Sequence, residues 1–389
     1  MDELNFTSDD KDILAEQSFE IPKEQDLENA TTALIAELSK KGYVHLKEDL
    51  PEEAEENFLK ILEYEPENNY ALVGLGDVYR KRGNFIRATE YYLRCLRFHE
   101  GNNYALFGLA DCYKAMQQYQ KAIEIWEKYL LHDENNITVL TRVADAYRKI
   151  RNFKKSRELY LKVLEKEPTN AYALIGLGHL HYDFKEYEVA LKYWEKMMLL
   201  NQDNVDIRVL TSIGNCHRKL RTFDRGLIYF EEALKSDPDN FYALFGMADC
   251  YRGLNKQEES LKYWLKILAK DPNNKVILTR AGDALRSLGR LEEAEDYYKR
   301  ALNIEFDTYA VLGLALINKA KGNYLEALES LTGLLVNEFK NPRIYTEIAE
   351  CYLELGNKEK AQEVLMRYLR MGQKNARVTE LLEKIKNEV

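Results

Sequence analysis

The chain has 389 residues, 46% hydrophobic and 31% charged, with a net charge of −9 and a pI near 5.5. It contains no apolar run near the roughly 18 residues that a membrane helix needs. Residues 1–30 lack the basic start and apolar centre of a secretory leader, and five scattered cysteines cannot build a disulfide framework. These features exclude membrane-spanning and disulfide-scaffold classes and point to a soluble, cytoplasmic chain in a reducing compartment.

In chain order, residues 1–27 come first. Residues 1–30 hold ten acidic and two basic side chains, a net of −8, so the other residues carry 54 basic against 55 acidic, a net of −1. Phe6, Ile13, Leu14 and Phe19 are scattered there without a period, and the segment reads as a disordered acidic tail. From residue 28 to 372 one pattern recurs. In Asn69–Glu100, Leu72, Leu75, Gly76 and Tyr79 fall on one helical face; Gly83 and Asn84 then break the pattern. A second helix places Phe85, Ala88, Tyr92, Cys95 and Leu96 on one face. Such a hairpin cannot bury both apolar faces alone. Shifts of 34 residues land on Leu106, Leu109, Ala110, Tyr113, Ala122 and Trp126, and then on Leu140, Val143, Ala144, Tyr147, Ser156, Tyr160 and Pro168.

This pattern resembles the tetratricopeptide repeat, a 34-residue helix–turn–helix with in-phase small, large and Pro positions. About ten copies run from Ile35 to Met371. The resemblance implies an all-α fold, a right-handed superhelix of antiparallel helix pairs with its core growing unit by unit. The first copy is degenerate, with His45 in the Tyr slot and Pro51 where its second helix begins. The fifth has His181 in that slot, and two extra residues then enter the loop Asn201–Asp206. The sixth has His217, and Gly226 in place of Ala; the ninth starts one residue out of phase; the tenth begins at Pro342. Pro66, Pro168, Pro238 and Pro272 share one end-of-repeat slot and stop the second helix. Residues 373–389, with Leu381, Leu382 and Ile385 on one face, read as a capping helix.

No catalytic constellation is present: no phosphate loop, GxSxG, HExxH or paired CxxC. An enzyme, a cofactor and a metal are therefore not expected. His179 and His181 diverge around their helix, and Gly74-x-Gly76 and Gly176-x-Gly178 lie inside helices rather than before them. Cys112, Cys216, Cys250 and Cys351 share one core slot, and Trp126, Trp194 and Trp264 share another.

In tetratricopeptide proteins the first helix of each repeat, helix A, lines the concave face. The resemblance therefore implies that the second, fifth, sixth, ninth, twelfth and thirteenth positions of helix A face a ligand. One class of copy places Tyr, an apolar residue and Gly there: Tyr70/Val73/Gly74, Tyr104/Phe107/Gly108, Tyr172/Ile175/Gly176, Tyr242/Phe245/Gly246 and Tyr309/Leu312/Gly313. The other places Thr before a polar residue: Thr141/Arg142, Thr211/Ser212, Thr279/Arg280 and Thr346/Glu347. From the third copy on they alternate, which implies a duplicated unit of about 68 residues. The glycines are expected to leave notches between aromatic faces and the Thr hydroxyls to offer hydrogen bonds. Alongside runs a charged ladder: Asp77/Arg80, Asp111/Lys114, Asp145/Arg148, Asn215/Arg218, Asp249/Arg252 and Asp283/Arg286. Its members are i and i+3 neighbours that either fix repeat packing or bind ligand. Lys81, Arg142, Lys149, Arg208, Lys219 and Arg280 are expected to remain as surplus cations and make the groove net basic. Asp at the ninth position departs from the Lys/Asn/Arg sets of carboxylate-clamp relatives.

These features point to a non-enzymatic adaptor that holds an extended, acidic protein segment in its concave groove. Docking of the acidic tail in the same groove is a second reading. An RNA-binding helical-repeat protein is the alternative, opposed by the acidic pI and the neutral body. A third reading is self-association through helix-B aromatics such as Tyr91, Tyr193 and Tyr297.

Overall fold

A computed structural model describes residues 30–200 and 205–387. The tail of residues 1–27 and residues 201–204 of the predicted insertion lie outside the described residues. Among the described residues there are 21 helices and no strand. They fall into two compact units that divide between Met197 and Met198.

The first unit holds five helix pairs: α1 (Ala30–Lys47) with α2 (Pro51–Tyr64), α3 (Asn69–Lys81) with α4 (Phe85–Phe98), α5 (Asn103–Ala115) with α6 (Tyr119–His132), α7 (Ile137–Lys149) with α8 (Phe153–Lys166), and α9 (Ala171–Asp183) with α10 (Tyr187–Leu200). The unit boundary falls in the last turn of α10. The second unit holds five more pairs: α11 (Ile207–Lys219) with α12 (Phe223–Ser236), α13 (Phe241–Gly253) with α14 (Gln257–Lys270), α15 (Lys275–Ser287) with α16 (Leu291–Ile304), α17 (Thr308–Ala320) with α18 (Tyr324–Leu334), and α19 (Pro342–Glu354) with α20 (Lys358–Arg370). It closes with α21 (Ala376–Asn387). Odd-numbered helices up to α19 are the A helices of their pairs.

Local sequence explains where these helices start and stop. Asn68, Asn102, Asn136, Asn170, Asn240, Asn274 and Asn341, with Asp206 and Asp307, each precede an A helix and accept a backbone N–H from its first turn. Each side chain satisfies a donor that the helix cannot, worth about 1 kcal/mol. The A-to-B turn puts one residue in the left-handed region, Gly83 (φ 74°) in the second pair and Arg151 (φ 65°) in the fourth. The following N–H then bonds back across the turn, Asn84 to the Tyr79 carbonyl (2.9 Å) and Asn152 to that of Tyr147 (2.8 Å). The turn geometry recurs where the glycine does not.

Eight of the ten pairs bury a ring at one shared slot of the B helix, Phe58, Tyr92, Trp126, Tyr160 and Trp194 in the first unit and Phe230, Trp264 and Tyr298 in the second, and the last two bury Leu331 and Leu365 there. The three indoles are core, as their shared slot implied. So are all five cysteines, and burial pushes the Cys95 thiol to about 11 and those of Cys112 and Cys250 to about 12. Helix α21 buries Val378, Leu382 and Ile385 against Tyr345, Ala349 and Tyr368. The expected stripe therefore rotates slightly: Val378 replaces Leu381, which is only partly buried. Sealing the last pair in this way is what a capping helix does.

Candidate ligand-binding face

The A helices position the candidate residues. Positions three, four, seven and eight of the A pattern turn into the core, as with Ala71, Leu72, Leu75 and Gly76 of α3. The second position is thereby left outward. Tyr70 (42% exposed), Tyr104 (43%) and Tyr172 (57%) occupy it in the first unit, and Tyr242 (64%) and Tyr309 (67%) in the second. Phe107 and Phe245 are half-buried behind them, with the guanidinium of Arg142 5.0 Å from the first ring and that of Arg218 5.8 Å from the second.

The expected notches are filled. A methyl at Gly74, Gly108, Gly176, Gly246 or Gly313 would lie under 3.0 Å from the ring of Phe58, Tyr92, Tyr160, Phe230 or Tyr298, respectively. Each ring comes from the B helix of the preceding pair. Four of these five rings also press on a glycine of their own A helix: Gly42, Gly76, Gly214 and Gly282. Copies that put Arg142, Arg280 or Glu347 at this position instead follow Trp126, Trp264 and Leu331. The alternation therefore matches small A positions to the rings that cover them. It is a packing rule before it is a ligand rule.

In the first unit the ladder is tied between helices. Arg80 donates to Asp77 (3.0 Å) and its Nε to the Tyr92 hydroxyl (3.3 Å), which itself donates to Asp77 (2.7 Å). Arg80 also lies 3.9 Å from Asp111, and Arg142 donates to that carboxylate from the next A helix at 2.8 Å. Arg148 donates to Asp145 (2.7 Å) and across to Asp183 of α9 (2.6 Å). Burial alone would raise the Asp145 carboxyl, but Arg148 holds it below the usual range.

In the second unit, Arg218 bonds Asn215 (3.1 Å) and reaches Asp249 of α13 (2.7 Å), while Arg252 grips the other Asp249 oxygen (2.7 Å). Asp283 accepts from the Tyr298 hydroxyl (2.8 Å), and Arg286 interacts with that hydroxyl. Lys319 pairs with Glu347 (2.6 Å) and with Glu350, which Arg377 of α21 also contacts (3.1 Å). The i,i+3 spacing pointed at neither Asp183 nor Lys319, because these links run between helices about one repeat apart.

Three of the six expected surplus cations have carboxylate partners: Lys81 with Asp49, Arg142 with Asp111, and Arg208 with Asp206. Of these three, only Arg142 is taken by the ladder, through Asp111; Lys81 pairs with Asp49 in the α1–α2 turn and Arg208 with the cap of its own helix. Among the described residues, Lys114, Lys149, Lys219, Arg280 and Arg286 form no ion pair. The Thr hydroxyls are committed as well: Thr141, Thr211, Thr279 and Thr346 each donate to a carbonyl three or four residues back.

The histidines diverge as their spacing implied. His181 is buried, stacked on Tyr193 and bonded to Glu186 at 2.5 Å, while His179 packs edge-on to Trp194. Burial and Arg148 lower His179 to about 4. The helix-B aromatics are not outward surfaces: Tyr91 stacks on Tyr79 and Tyr193 on His181, and Tyr297 is partly buried under Arg300. Tyr91 and Tyr193 thus pack on their own A helices and Tyr297 is partly covered, so none of the three stands out as a free docking ring. No described helix is long and apolar enough to cross a membrane.

Comparison with known proteins agrees with this geometry. Tetratricopeptide-repeat families match residues 39–103, 104–133, 142–203, 213–275, 277–308 and 319–385. No curated protein matches the sequence. Among solved structures, the chain is similar to the MamA protein (22% identity, 44% of this chain and 92% of that one, TM-score 0.40). It is also similar to PilW, a type IV pilus biogenesis factor (18%, 51% and 91%, 0.47), and to yeast Tom70 (13%, 92% and 96%, 0.44). Repeat after repeat carries the pattern, and the chain belongs to the tetratricopeptide-repeat family.

Proposed function

We propose that this protein is a non-enzymatic adaptor that holds an extended, acidic protein segment along the A-helix faces of its units. The observation that carries this reading is the repeated outward Tyr. Tyr70, Tyr104, Tyr172, Tyr242 and Tyr309 are all more than two-fifths exposed at one register of a pattern whose neighbours are core. Large rings repeated outward on rigid helices supply contact area at small entropic cost, as binding hot spots do. Arginines beside them favour carboxylates over cationic groups.

The test is selection of displayed random peptides on the full chain. Enriched peptides are expected to be acidic and to bind the Tyr104→Ala/Tyr242→Ala chain at least about tenfold more weakly, the loss of two moderate hot spots. Enrichment of basic sequences, or equal binding to that variant, contradicts the proposal.

A further inference from the structure

Among the described residues of unit 2, Arg280 and Arg286 on α15 are A-helix arginines without a carboxylate partner, and the sequence explains why. Arg80, Arg142, Arg148 and Arg218 each approach a carboxylate on a neighbouring A helix, while Arg252 pairs within its own. Arg142 reaches back to Asp111 (2.8 Å), and Arg218 reaches forward to Asp249 (2.7 Å). On α15, Arg280 corresponds to Arg142, and its backward partner would be Asp249. Both Asp249 oxygens are already taken, Oδ2 by Arg218 and Oδ1 by Arg252. Arg286 corresponds to Arg218, and its forward partner would stand at position 316. There the chain has Leu316, packed in the core of the following pairs. The carboxylate between the two arginines, Asp283, accepts the Tyr298 hydroxyl (2.8 Å). Lys319 of α17 is already committed to Glu347 and Glu350.

Arg286 Nε is buried without an acceptor in hydrogen-bonding geometry, although the Tyr298 hydroxyl lies close enough to interact with the guanidinium. A buried N–H on a charged group is rarely left unmatched, because its desolvation is not repaid. Arg280, Asp283 and Arg286 lie at i, i+3 and i+6, so each arginine neighbours Asp283 on the helix surface, one on either side of it. Both residues remain partly accessible, and the Tyr309 ring on α17 is 67% exposed. We infer that Arg280 and Arg286 form a subsite for the side-chain carboxylates of an acidic peptide. This assignment rests on the proposed function and gives that reading a located acid contact. The planar fork of each arginine matches a carboxylate with two parallel bonds, which a lysine cannot do.

The test uses the full chain and fluorescein-labelled deca-glutamate, followed by fluorescence anisotropy at low and at physiological salt. The Arg280→Gln/Arg286→Gln chain is expected to bind at least about tenfold more weakly than wild type, the usual effect of losing charged hydrogen bonds. Arg280→Lys/Arg286→Lys is expected to recover only part of the loss. Arg290→Gln, on a cation paired with Glu293 outside this face, controls for net charge and is expected to bind within about twofold of wild type. Because neither arginine holds an ion pair, the Gln double variant is expected to keep its Tm within about 2 °C. A larger fall in Tm makes the pair structural and overturns the subsite. So does unchanged deca-glutamate binding by the double variant. If the Tyr104→Ala/Tyr242→Ala chain loses the peptide in that case, the proposed face stands and only the subsite fails. Absence of deca-glutamate binding to wild type rejects both the subsite and the acidic ligand class. Tighter, pair-dependent binding of a ten-nucleotide single-stranded RNA reassigns the pair to nucleic acid.

Discussion

Replacing Gly246 with alanine is expected to lower stability by about 2 kcal/mol, although glycine-to-alanine inside a helix ordinarily gains about 1 kcal/mol. The added methyl would lie under 3.0 Å from three Phe230 ring carbons. That ring is fully buried and cannot retreat, since Gly214 presses on its other side. Gly333 in α18 is the matched control: nothing lies within 4 Å of its added methyl and its φ is ordinary. Gly333→Ala is therefore expected to raise stability by up to about 1 kcal/mol. Urea denaturation of both variants checks the pair. A gain at Gly246 equal to that at Gly333 would mean that the ring does not fill the notch.

The second large effect is expected at Asp249. Its burial alone would raise the carboxyl, but bonds from Arg218 and Arg252 outweigh that and hold it below the usual range. Asp249→Asn leaves two arginines facing a neutral amide, one of them largely buried, and is expected to cost about 2–4 kcal/mol at neutral pH. The pH dependence has a definite sign. A depressed carboxylate contributes stability above its unfolded pKa of about 3.9, and that contribution fades as pH falls through the lower folded value. Wild type is thus expected to lose more stability than Asp249→Asn between about pH 4 and pH 2. Parallel pH profiles, or a neutral-pH cost below about 0.5 kcal/mol, would place Asp249 outside the packing between α11 and α13.

Much of this architecture was legible in the sequence because each repeat states it again. Small residues, rings and end-of-repeat prolines recur in phase, so the pairing of helices needs no long-range information. The asparagines before the A helices carried a capping signal at the same spacing. The face itself was only half legible. Exposure of the second-position Tyr follows from helical period alone. What fills the glycine positions does not, because the filling ring comes from the B helix one repeat earlier. The Arg80–Asp111 and Arg148–Asp183 links likewise join residues 31 and 35 positions apart. An i,i+3 spacing on one helix cannot reveal them. Leu316 interrupts that inter-helix pattern, and its consequence for Arg286 emerges only when α15 and α17 are packed side by side.

Site-specific photocrosslinking tests the A-helix face most directly. A benzophenone amino acid is placed at Tyr104 or Tyr242 on A helices, and at Ile86 or Ile228, exposed positions on B helices. A fluorescent acidic peptide taken from the display selection is then added. Crosslinks are expected from 104 and 242, suppressed by excess unlabelled peptide, and none above background from 86 or 228. Crosslinks confined to 86 and 228 would contradict it and move the binding surface to the B helices.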